Sequence, residues 1–316
     1  MSVLAALLLS VVLVTDEPEA VLAILDKRAA GAEITDADWK RVFESEGYVR
    51  LKAREHSMSR AFEDETFRTF VLSDELLAKR TTLRRVLEDW KRADLSRAQS
   101  RALAYLPSGA KIDAKIYPSI KPATNSFVHD LDNDPAIFKY MDDEPRDRFE
   151  TVIAHEMHHV GYRAACRAGE VDAVTQWLGA FGEGFAVLAA AGGPDRDAQA
   201  HAAADVQAEW KQQLADYEKH FREVEAFLAD VANGLPDDEQ RRRASAFYGL
   251  QGPWYSVGWK MAVVIEKSLG RDVLIAAMCD RSKLMATYNT ASDVWFERTG
   301  ERLPKWPASL TSKPPR

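Results

Sequence analysis

The sequence predicts a mainly α-helical protein with a small β-sheet, an α+β fold. Apolar residues recur at helical spacing through most of the chain, whereas a short central stretch alternates apolar and polar residues around two prolines. The chain has 316 residues, of which 46% are hydrophobic and 29% charged. This balance is typical of a globular protein that buries a sizeable core.

The amino-terminal part of the sequence contains an apolar run, VLAALLLSVVLV, at residues 3–14. It has the length of a signal-peptide core and is too short to span a bilayer, and no other segment is a candidate for a stable membrane span. The run lacks a preceding basic residue and a clear cleavage site, so a buried first helix is the alternative. We predict that residues 1–17 are a signal peptide or an apolar lead. We predict that the protein is secreted or periplasmic, with a cytoplasmic location as the alternative.

Helical periodicity fills residues 18–110, which we predict to be a helical N-terminal region. Within it, Ser73 precedes Leu76 and Leu77, and this order predicts a helix that starts at Ser73, since a serine hydroxyl caps a helix well. The later helices are predicted at residues 147–167, 171–191, 195–232, 237–247, 254–269 and 271–279.

The central stretch, residues 111–130, reads KIDAKIYPSIKPATNSFVHD and interrupts the helical pattern. Its alternation and turn residues predict short strands joined by turns. A proline has no N–H to donate to a neighbouring strand, so Pro118 and Pro122 predict that any strand here lies at a sheet edge.

Charge and cysteine content narrow the classes of partner and compartment. The net charge of −7 argues against nucleic-acid binding, because phosphate contacts need concentrated Lys and Arg. The only two cysteines are Cys166 and Cys279, which excludes a disulfide framework and a C-x-x-C metal site. We favour two buried free thiols, with a single disulfide between them as the alternative.

The most informative segment contains the pattern H-E-x-x-H, formed by His155, Glu156 and His159. Residues four apart on a helix project from one face about a turn apart, so the two imidazoles can share a metal ion. Glu156 is placed to accept a proton from a water at that ion, which is the mechanism behind this motif. The pattern predicts a Zn²⁺ site, and we interpret His158 as a structural residue.

A catalytic zinc needs a third protein ligand, and the candidates downstream are Glu170, Asp172, Glu183, His201, Asp216 and His220. Glu183 is favoured because its surroundings are apolar, and a carboxylate in such a place needs a metal or an Arg as partner. Gly182 and Gly184 flank it and predict a close approach of two helices, which would bring the carboxylate to the first helix. Asp172 is better explained as a helix cap.

These residues resemble the gluzincins, zinc peptidases whose third ligand is a glutamate. The resemblance rests on the H-E-x-x-H pattern and on residues 177–186, WLGAFGEGFA, and covers roughly residues 147–190. Residues 125–128 and 254–262 also resemble an uncharacterised bacterial group labelled as zinc-dependent peptidases. The resemblance implies a zincin-like catalytic domain over residues 111–316, with a peptide or protein as substrate.

Departures from related families limit what the resemblance implies. The exopeptidase motif G-x-M-E-N is absent, and Val187 stands where thermolysin-like enzymes have an Asp. Tyr162 and Ala165 stand where a metzincin would have Gly and His, which excludes that clan. The resemblance therefore implies the zinc site without a substrate preference.

The resemblance also implies roles for other residues. Tyr255 opens a predicted helix and resembles the family's downstream tyrosine, so we predict that it stabilises the oxyanion, with Tyr248 and His220 as alternates. The motif's usual setting suggests that an extended peptide adds to the strand-like segment at residues 114–130. The alternatives to a peptidase are a metal-stabilised binding protein without activity, a helical interaction protein without metal, and a zinc hydrolase of a non-peptide amide.

Overall fold

The structure, a computed structural model, describes residues 11–166, 171–249 and 251–311. It confirms the predicted fold class, since most of these residues are helical and a small four-stranded mixed sheet accompanies the helices. Residues 1–10 of the predicted lead lie outside the described residues. Among the residues described, no helix has the length and apolar character that crossing a membrane requires.

The chain divides into two compact units. One comprises Met1–Gln99 and Ile112–Val160, and the other Ser100–Lys111 and Gly161–Arg316. Each is built from two separate stretches of sequence. The predicted boundary near residue 110, between a helical region and a catalytic domain, stays a prediction.

The first unit combines helices with the four strands of the sheet, and the ends of its last two helices belong to the second unit. They are β1 (Val11–Leu13), α1 (Asp16–Ala29), α2 (Asp36–Phe43), α3 (Glu46–Ser57), α4 (Asp64–Val71), α5 (Asp74–Trp90), α6 (Leu95–Leu103), β2 (Ala114–Ser119), β3 (Phe127–His129), β4 (Ala136–Tyr140) and α7 (Arg146–Ala165). The predicted start of α5 is confirmed, because the Ser73 hydroxyl accepts a hydrogen bond from the Leu76 N–H at 3.2 Å.

The sheet has the strand order β1-β2-β4-β3. The pairs β1–β2 and β2–β4 are parallel, whereas β3 runs antiparallel to β4. Part of the amino-terminal apolar run therefore forms a strand rather than the first helix that the sequence allowed. Strands β1 and β3 end the sheet on its two sides. Within the segment at residues 114–130, β2 is therefore an inner strand and β3 lies at an edge.

The prediction that Pro118 marks a sheet edge is wrong, because Pro118 lies in β2, an inner strand. Backbone N–H groups alternate between the two sides of a strand, and the N–H of Lys115 bonds towards β4, to the Pro135 carbonyl. Pro118 therefore directs its nitrogen to the opposite side. On that side β1 ends at Leu13, which pairs with Ile116, and the Val14 N–H donates to the Ile116 carbonyl at 2.8 Å. Pro118 has no N–H to continue this ladder, so it lies where the β1–β2 pairing stops.

The core of the first unit lies between this sheet and the helices. Tyr117 and Phe138 are fully buried on neighbouring strands and stack with ring centroids 5.0 Å apart, and Leu51 of α3 packs against them. Trp90 at the end of α5 stacks on Phe149 of α7 at 4.4 Å. Burial of such large rings is the main stabilising term, and here it anchors the amino-terminal half of α7.

The second unit is almost entirely helical. Its remaining elements are α8 (Ala173–Trp177), a 3₁₀ turn (Leu178–Phe181), α9 (Gly182–Ala191), α10 (Ala204–Ala215), α11 (Tyr217–Ala232), α12 (Asp237–Ala246), α13 (Pro253–Leu269), α14 (Arg271–Cys279), a 3₁₀ turn (Arg281–Lys283), α15 (Leu284–Thr299) and α16 (Ala308–Thr311).

Three predictions for this unit are corrected. The single helix predicted at residues 171–191 is interrupted by a 3₁₀ turn, and the one at 195–232 is two helices, α10 and α11, that meet at Asp216. Helix α15 was not predicted at all. Its buried residues Leu284, Met285, Tyr288, Ala291 and Ser292 do recur at helical spacing, but the last two are a small residue and a polar one, so the apolar stripe is weak after Tyr288.

Glu17 is a buried acid in the first turn of α1. It is 1% exposed, and its Oε2 accepts a hydrogen bond from the backbone N–H of Ile120 at 3.2 Å. Burial raises the pKa of the Glu17 carboxyl well above its ordinary value of 4.5, and Asp16 adds to the rise, whereas the Ile120 N–H and Lys121 oppose it. The folded protein therefore holds the Glu17 proton more tightly than the unfolded chain does.

We expect Glu17→Gln to stabilise the protein at pH 8 and to lose this advantage towards pH 4.5. A raised folded-state pKa contributes stability that is present below the unfolded pKa and is lost as the pH rises through the folded pKa. A neutral Gln avoids that loss. The thermal midpoint at pH 8 should rise by at least about 2 °C, the shift that about 1 kcal/mol gives in a mid-sized domain.

Glu19, two residues further along α1, is the matched control. The hydrogen bond from Lys91, 2.9 Å away, is the main reason that the pKa of its carboxyl is lowered, so the sign is opposite. Glu19→Gln should not raise the midpoint at pH 8. An unchanged or lower midpoint for Glu17→Gln at pH 8 would contradict the linkage.

Candidate metal centre

Helix α7 carries the H-E-x-x-H residues and is fixed by contacts on its other sides. Phe149, Ile153 and Met157 are fully buried at a four-residue spacing, which places them on the side of the helix away from the histidines. Glu150, also buried, accepts hydrogen bonds from the Asp94 N–H at 2.8 Å and from the Arg97 Nε at 3.0 Å. Charge-assisted hydrogen bonds of this kind hold a helix in one register.

His155 and His159 lie one turn apart on α7, as the sequence predicted. Their Nε2 atoms are 3.0 Å apart, and their rings meet nearly at right angles with centroids 4.7 Å apart. Both side chains are half-buried. Two imidazole nitrogens that converge in this way can coordinate one ion.

The structure also brings the favoured third ligand to the histidines. His155, His159 and Glu183 each offer one ligand atom, and these three atoms lie within 4.8 Å of one another. Among the described residues, this is the one group of three or more His, Cys, Asp and Glu side chains with such an arrangement. Two imidazoles and a carboxylate match the donor set of catalytic zinc sites that keep an open position. The residues present therefore fit a zinc ion.

Glu183 is positioned by a very close contact between α9 and α13. A Cβ built on Gly184 would lie 2.0 Å from the backbone nitrogen of Trp259 and 2.5 Å from the Tyr255 carbonyl oxygen. A Cβ built on Gly258 would in turn lie 2.6 Å from the Phe181 carbonyl oxygen. The two glycines allow two helix backbones to touch, and this contact fixes the segment that carries Glu183.

The prediction for Gly182 and Gly184 is therefore corrected. Gly184 does allow a close approach of helices, but its neighbour is α13, a segment about 70 residues downstream that no local pattern marks as its partner. A Cβ built on Gly182 meets nothing within 4 Å, so this residue has no such role.

We expect Gly184→Ala to lower stability by about 1–3 kcal/mol or more, because overpacking against backbone atoms forces the helices apart. The shift should also move Glu183 and weaken metal binding. Gly182→Ala is the matched control on the other side of Glu183, and it should leave the free energy of unfolding within about 0.5 kcal/mol of the wild-type value. Denaturant unfolding of both variants checks this, and equal midpoints for the two would show that the α9–α13 contact can relax.

The other members of the motif are buried. Glu156 is 8% exposed and His158 is 1% exposed. His158 lies outside the three-ligand group, and its ring centroid is 6.4 Å from that of His159. Its burial agrees with the interpretation of His158 as a structural residue.

The predicted oxyanion donors lie in three different surroundings. Tyr255, in the first turn of α13, is half-buried and packs against Val187 and Trp210. Tyr248 is 37% exposed, and partial burial together with the negative charge of Glu183 raises the pKa of its hydroxyl. His220 is buried, with its Nδ1 3.2 Å from the Ser256 hydroxyl, which makes it part of the helical core.

Two of the remaining candidate ligands, Asp172 and Asp216, make other contacts, and His201 is exposed and lies outside the three-ligand group. Asp172 caps α8 as predicted, since its carboxylate accepts hydrogen bonds from the N–H and the hydroxyl of Thr175 at 2.9 and 2.8 Å. Asp216 is at the surface and accepts a hydrogen bond from Gln212 at 2.8 Å. Glu170 lies outside the described residues.

The expectation of two free thiols is wrong, because Cys166 and Cys279 form a disulfide. They are 113 residues apart in the sequence, so only the folding of the second unit brings them together. Beside the disulfide, the Tyr162 hydroxyl donates to the Met278 carbonyl at 3.0 Å and accepts a hydrogen bond from Arg281 Nε at 2.9 Å. Arg281 was not predicted as a functional residue, and no local pattern in the sequence marks it.

The fold and the site together define a helical protein with a small mixed sheet and a His/His/Glu group suited to zinc. Residues 22–293 match the family described as "Putative zinc dependent peptidase (DUF5700)", and the chain belongs to this family. No curated protein matches the chain, and no solved structure does. The family's description names zinc and peptidase, which agrees with the predicted resemblance.

Proposed function

We propose that this protein is a zinc-dependent peptidase of the gluzincin type with a zincin-like catalytic core. His155, His159 and Glu183 hold the metal, and Glu156 is the general base. The observation that supports the proposal most strongly is the approach of three ligand atoms, from residues up to 28 positions apart, to within 4.8 Å.

A zinc ion held by His155, His159 and Glu183 would supply Lewis-acid chemistry, namely polarisation of the scissile carbonyl and a water of lowered pKa. Glu156 accepts the proton of the attacking water as the C–O bond forms. It then delivers that proton to the nitrogen of the breaking C–N bond, so that the amine leaves neutral. Burial of Glu156 strengthens its interactions with charge that develops nearby.

Tyr255 is proposed to donate a hydrogen bond to the developing oxyanion. We expect Tyr255→Phe to lower kcat about 100-fold, the typical effect of losing one such donor. Tyr248→Phe is the matched control, because it also removes one tyrosine hydroxyl, that of the residue whose pKa the Glu183 charge raises. This variant should change kcat less than about 3-fold. The reverse result, from steady-state kinetics of the two variants, would move the role to Tyr248.

The substrate is proposed to be a peptide or an unfolded protein segment that adds to the outer edge of β3. In the described part of the sheet β3 has β4 as its one neighbour, so its other edge has main-chain groups available to an extended chain. The ring of Phe127 in β3 is covered by the Arg54 guanidinium at 3.8 Å, which holds this strand against α3.

The experiment that tests the proposal measures metal content and cleavage together. We expect one zinc per chain by elemental analysis, cleavage of an unfolded protein substrate, and loss of both after His155→Ala. Removal of the metal with a chelator should abolish cleavage, and added zinc should restore it. A preparation with no zinc and no affinity for it would refute the proposal.

We also propose that the protein works in an oxidising compartment, outside the cytoplasm. The Cys166–Cys279 disulfide supports this, because such bonds persist in secreted and periplasmic proteins. Any cleavage of the apolar lead is expected before Val11, since β1 is part of the sheet. Cell fractionation with mass spectrometry of the mature amino terminus tests both expectations, and recovery of the reduced protein in the cytoplasm would contradict them.

A further inference from the structure

Arg281 lies in the second unit against the end of the helix that carries the histidines. Its Nε donates to the Tyr162 hydroxyl at 2.9 Å, and its guanidinium carbon is 5.6 Å from the centroid of the Tyr162 ring. Tyr162 follows His159 by three residues on α7, which is less than one helical turn. The position of the Tyr162 hydroxyl is further fixed by its hydrogen bond to the Met278 carbonyl.

The same guanidinium also lies close to the segment that leads to Glu183. A Cβ built on Gly179 would lie 2.5 Å from Arg281 Nη1 and 2.9 Å from its Cζ. Gly179 belongs to the 3₁₀ turn Leu178–Phe181 and precedes Glu183 by four residues. Only the lack of a side chain at Gly179 allows the guanidinium to lie directly against this backbone.

The disulfide limits the movement of the residues on which Arg281 depends. Cys166 comes one residue after the end of α7, and Cys279, the last residue of α14, is two residues before Arg281. The covalent bond holds the Cα atoms of the two cysteines 4.7 Å apart. The disulfide therefore holds the backbone just before Arg281 in place, and from there the Arg281 side chain contacts both Tyr162 and Gly179.

We propose that Arg281 is a positioning residue for the metal-binding group, which sets the separation between the segment after His159 and the segment before Glu183. This rests on the proposed function, in which those residues bind zinc. Zinc–ligand bonds are about 2.0–2.2 Å long, so small changes in ligand separation weaken binding. Loss of a group that hydrogen-bonds directly to a metal ligand typically costs 10–100-fold in metal affinity, and Arg281, which acts through Tyr162 and Gly179, should fall at the lower end of this range.

The test measures zinc affinity by competition with a chromogenic chelator, and ligand geometry from the visible spectrum of the Co²⁺-substituted protein. We expect Arg281→Ala to weaken zinc binding at least 10-fold and to change the Co²⁺ spectrum. Arg281→Lys, which keeps the charge and part of the reach, should recover part of the affinity. Gly179→Ala displaces the guanidinium without altering Arg281 and should act in the same direction.

Arg243→Ala is the matched control for a general loss of stability. Arg243, on α12 of the same unit, also contacts an aromatic ring, 5.5 Å from the Phe227 centroid, and lies 2.7 Å from the Asp230 carboxylate. It should lower the thermal midpoint but leave the zinc affinity and the Co²⁺ spectrum unchanged.

Two results would overturn the role of Arg281 while the proposed function stands. One is a zinc affinity of Arg281→Ala within 2-fold of the wild-type value, and the other is an equal loss of affinity in Arg281→Ala and Arg243→Ala. Failure of the wild-type protein to bind zinc would instead overturn the proposed function together with this inference.

Discussion

Glu156→Gln is expected to lower the kcat of peptide hydrolysis at least about 1,000-fold while zinc stays bound. General acid–base catalysis contributes about 100- to 10,000-fold in enzymes, and a neutral amide cannot accept the proton of the attacking water. Gln has nearly the shape of Glu, and Glu156 is not one of the three ligands, so the metal-binding group should remain intact. Zinc stoichiometry and single-turnover cleavage of an unfolded protein check both parts.

Glu150→Gln is the matched control on the same helix. Glu150 is 1% exposed, comparable to Glu156 at 8%, but its carboxylate bonds to Arg97 and to the Asp94 N–H rather than to anything that reacts. This variant should lose stability and keep kcat within about 3-fold once folded. Full cleavage activity in Glu156→Gln would exclude Glu156 as the base.

The same experiment separates the alternative functions. A metal-stabilised binding protein would contain zinc, but neither the wild type nor Glu156→Gln would cleave a substrate. A hydrolase of a non-peptide amide would leave proteins intact and respond to Glu156→Gln with a small amide substrate. Cleavage by the wild type alone, with zinc in both proteins, is the outcome that the peptidase proposal requires.

Removal of the disulfide is the second change with a large expected effect. The bond closes a loop of 113 residues, and for a loop of about 100 residues the chain-entropy relation gives about 4.7 kcal/mol at 25 °C. Strain and residual structure in the unfolded chain reduce such values, so we expect the Cys166→Ser, Cys279→Ser double variant to lose about 2–5 kcal/mol. Denaturant unfolding of the wild type and the double variant measures the difference.

Reductant is the control for this prediction. It should lower the unfolding midpoint of the wild type to that of the double variant and leave the variant unchanged, with thiol counting to verify that the bond is open. If the fully reduced wild-type protein unfolds at the same midpoint as the oxidised one, the disulfide contributes nothing to the stability of this fold.

The fold class and the histidine pair could be predicted because both depend on local regularities. Helical spacing of apolar residues marks most helices, and a cap such as Ser73 marks a start within a few residues. The four-residue spacing of His155 and His159 determines their geometry as soon as the segment is helical, since one turn sets the distance between the rings.

The proposed ligand Glu183 could be selected, but its position could not be derived. Its apolar surroundings indicate a need for a partner, yet several other acids and histidines lie at similar distances along the chain. Whether a given carboxylate reaches the imidazoles depends on helix packing, and that packing depends on Gly184 meeting the backbone of α13. The role of Tyr255 stays a prediction for the same reason.

By itself the sequence determined that this chain is mainly helical and that His155, Glu156 and His159 lie close together on one helix. The reason is that a helix completes a turn every 3.6 residues, so residues this near in sequence are also near in space. Only the tertiary structure decided that Pro118 lies in an inner strand, that Cys166 and Cys279 are bonded, and that Arg281 lies between Tyr162 and Gly179. Each of these depends on residues that are far apart along the chain. Their meeting is set by the packing of whole elements, which no local pattern encodes.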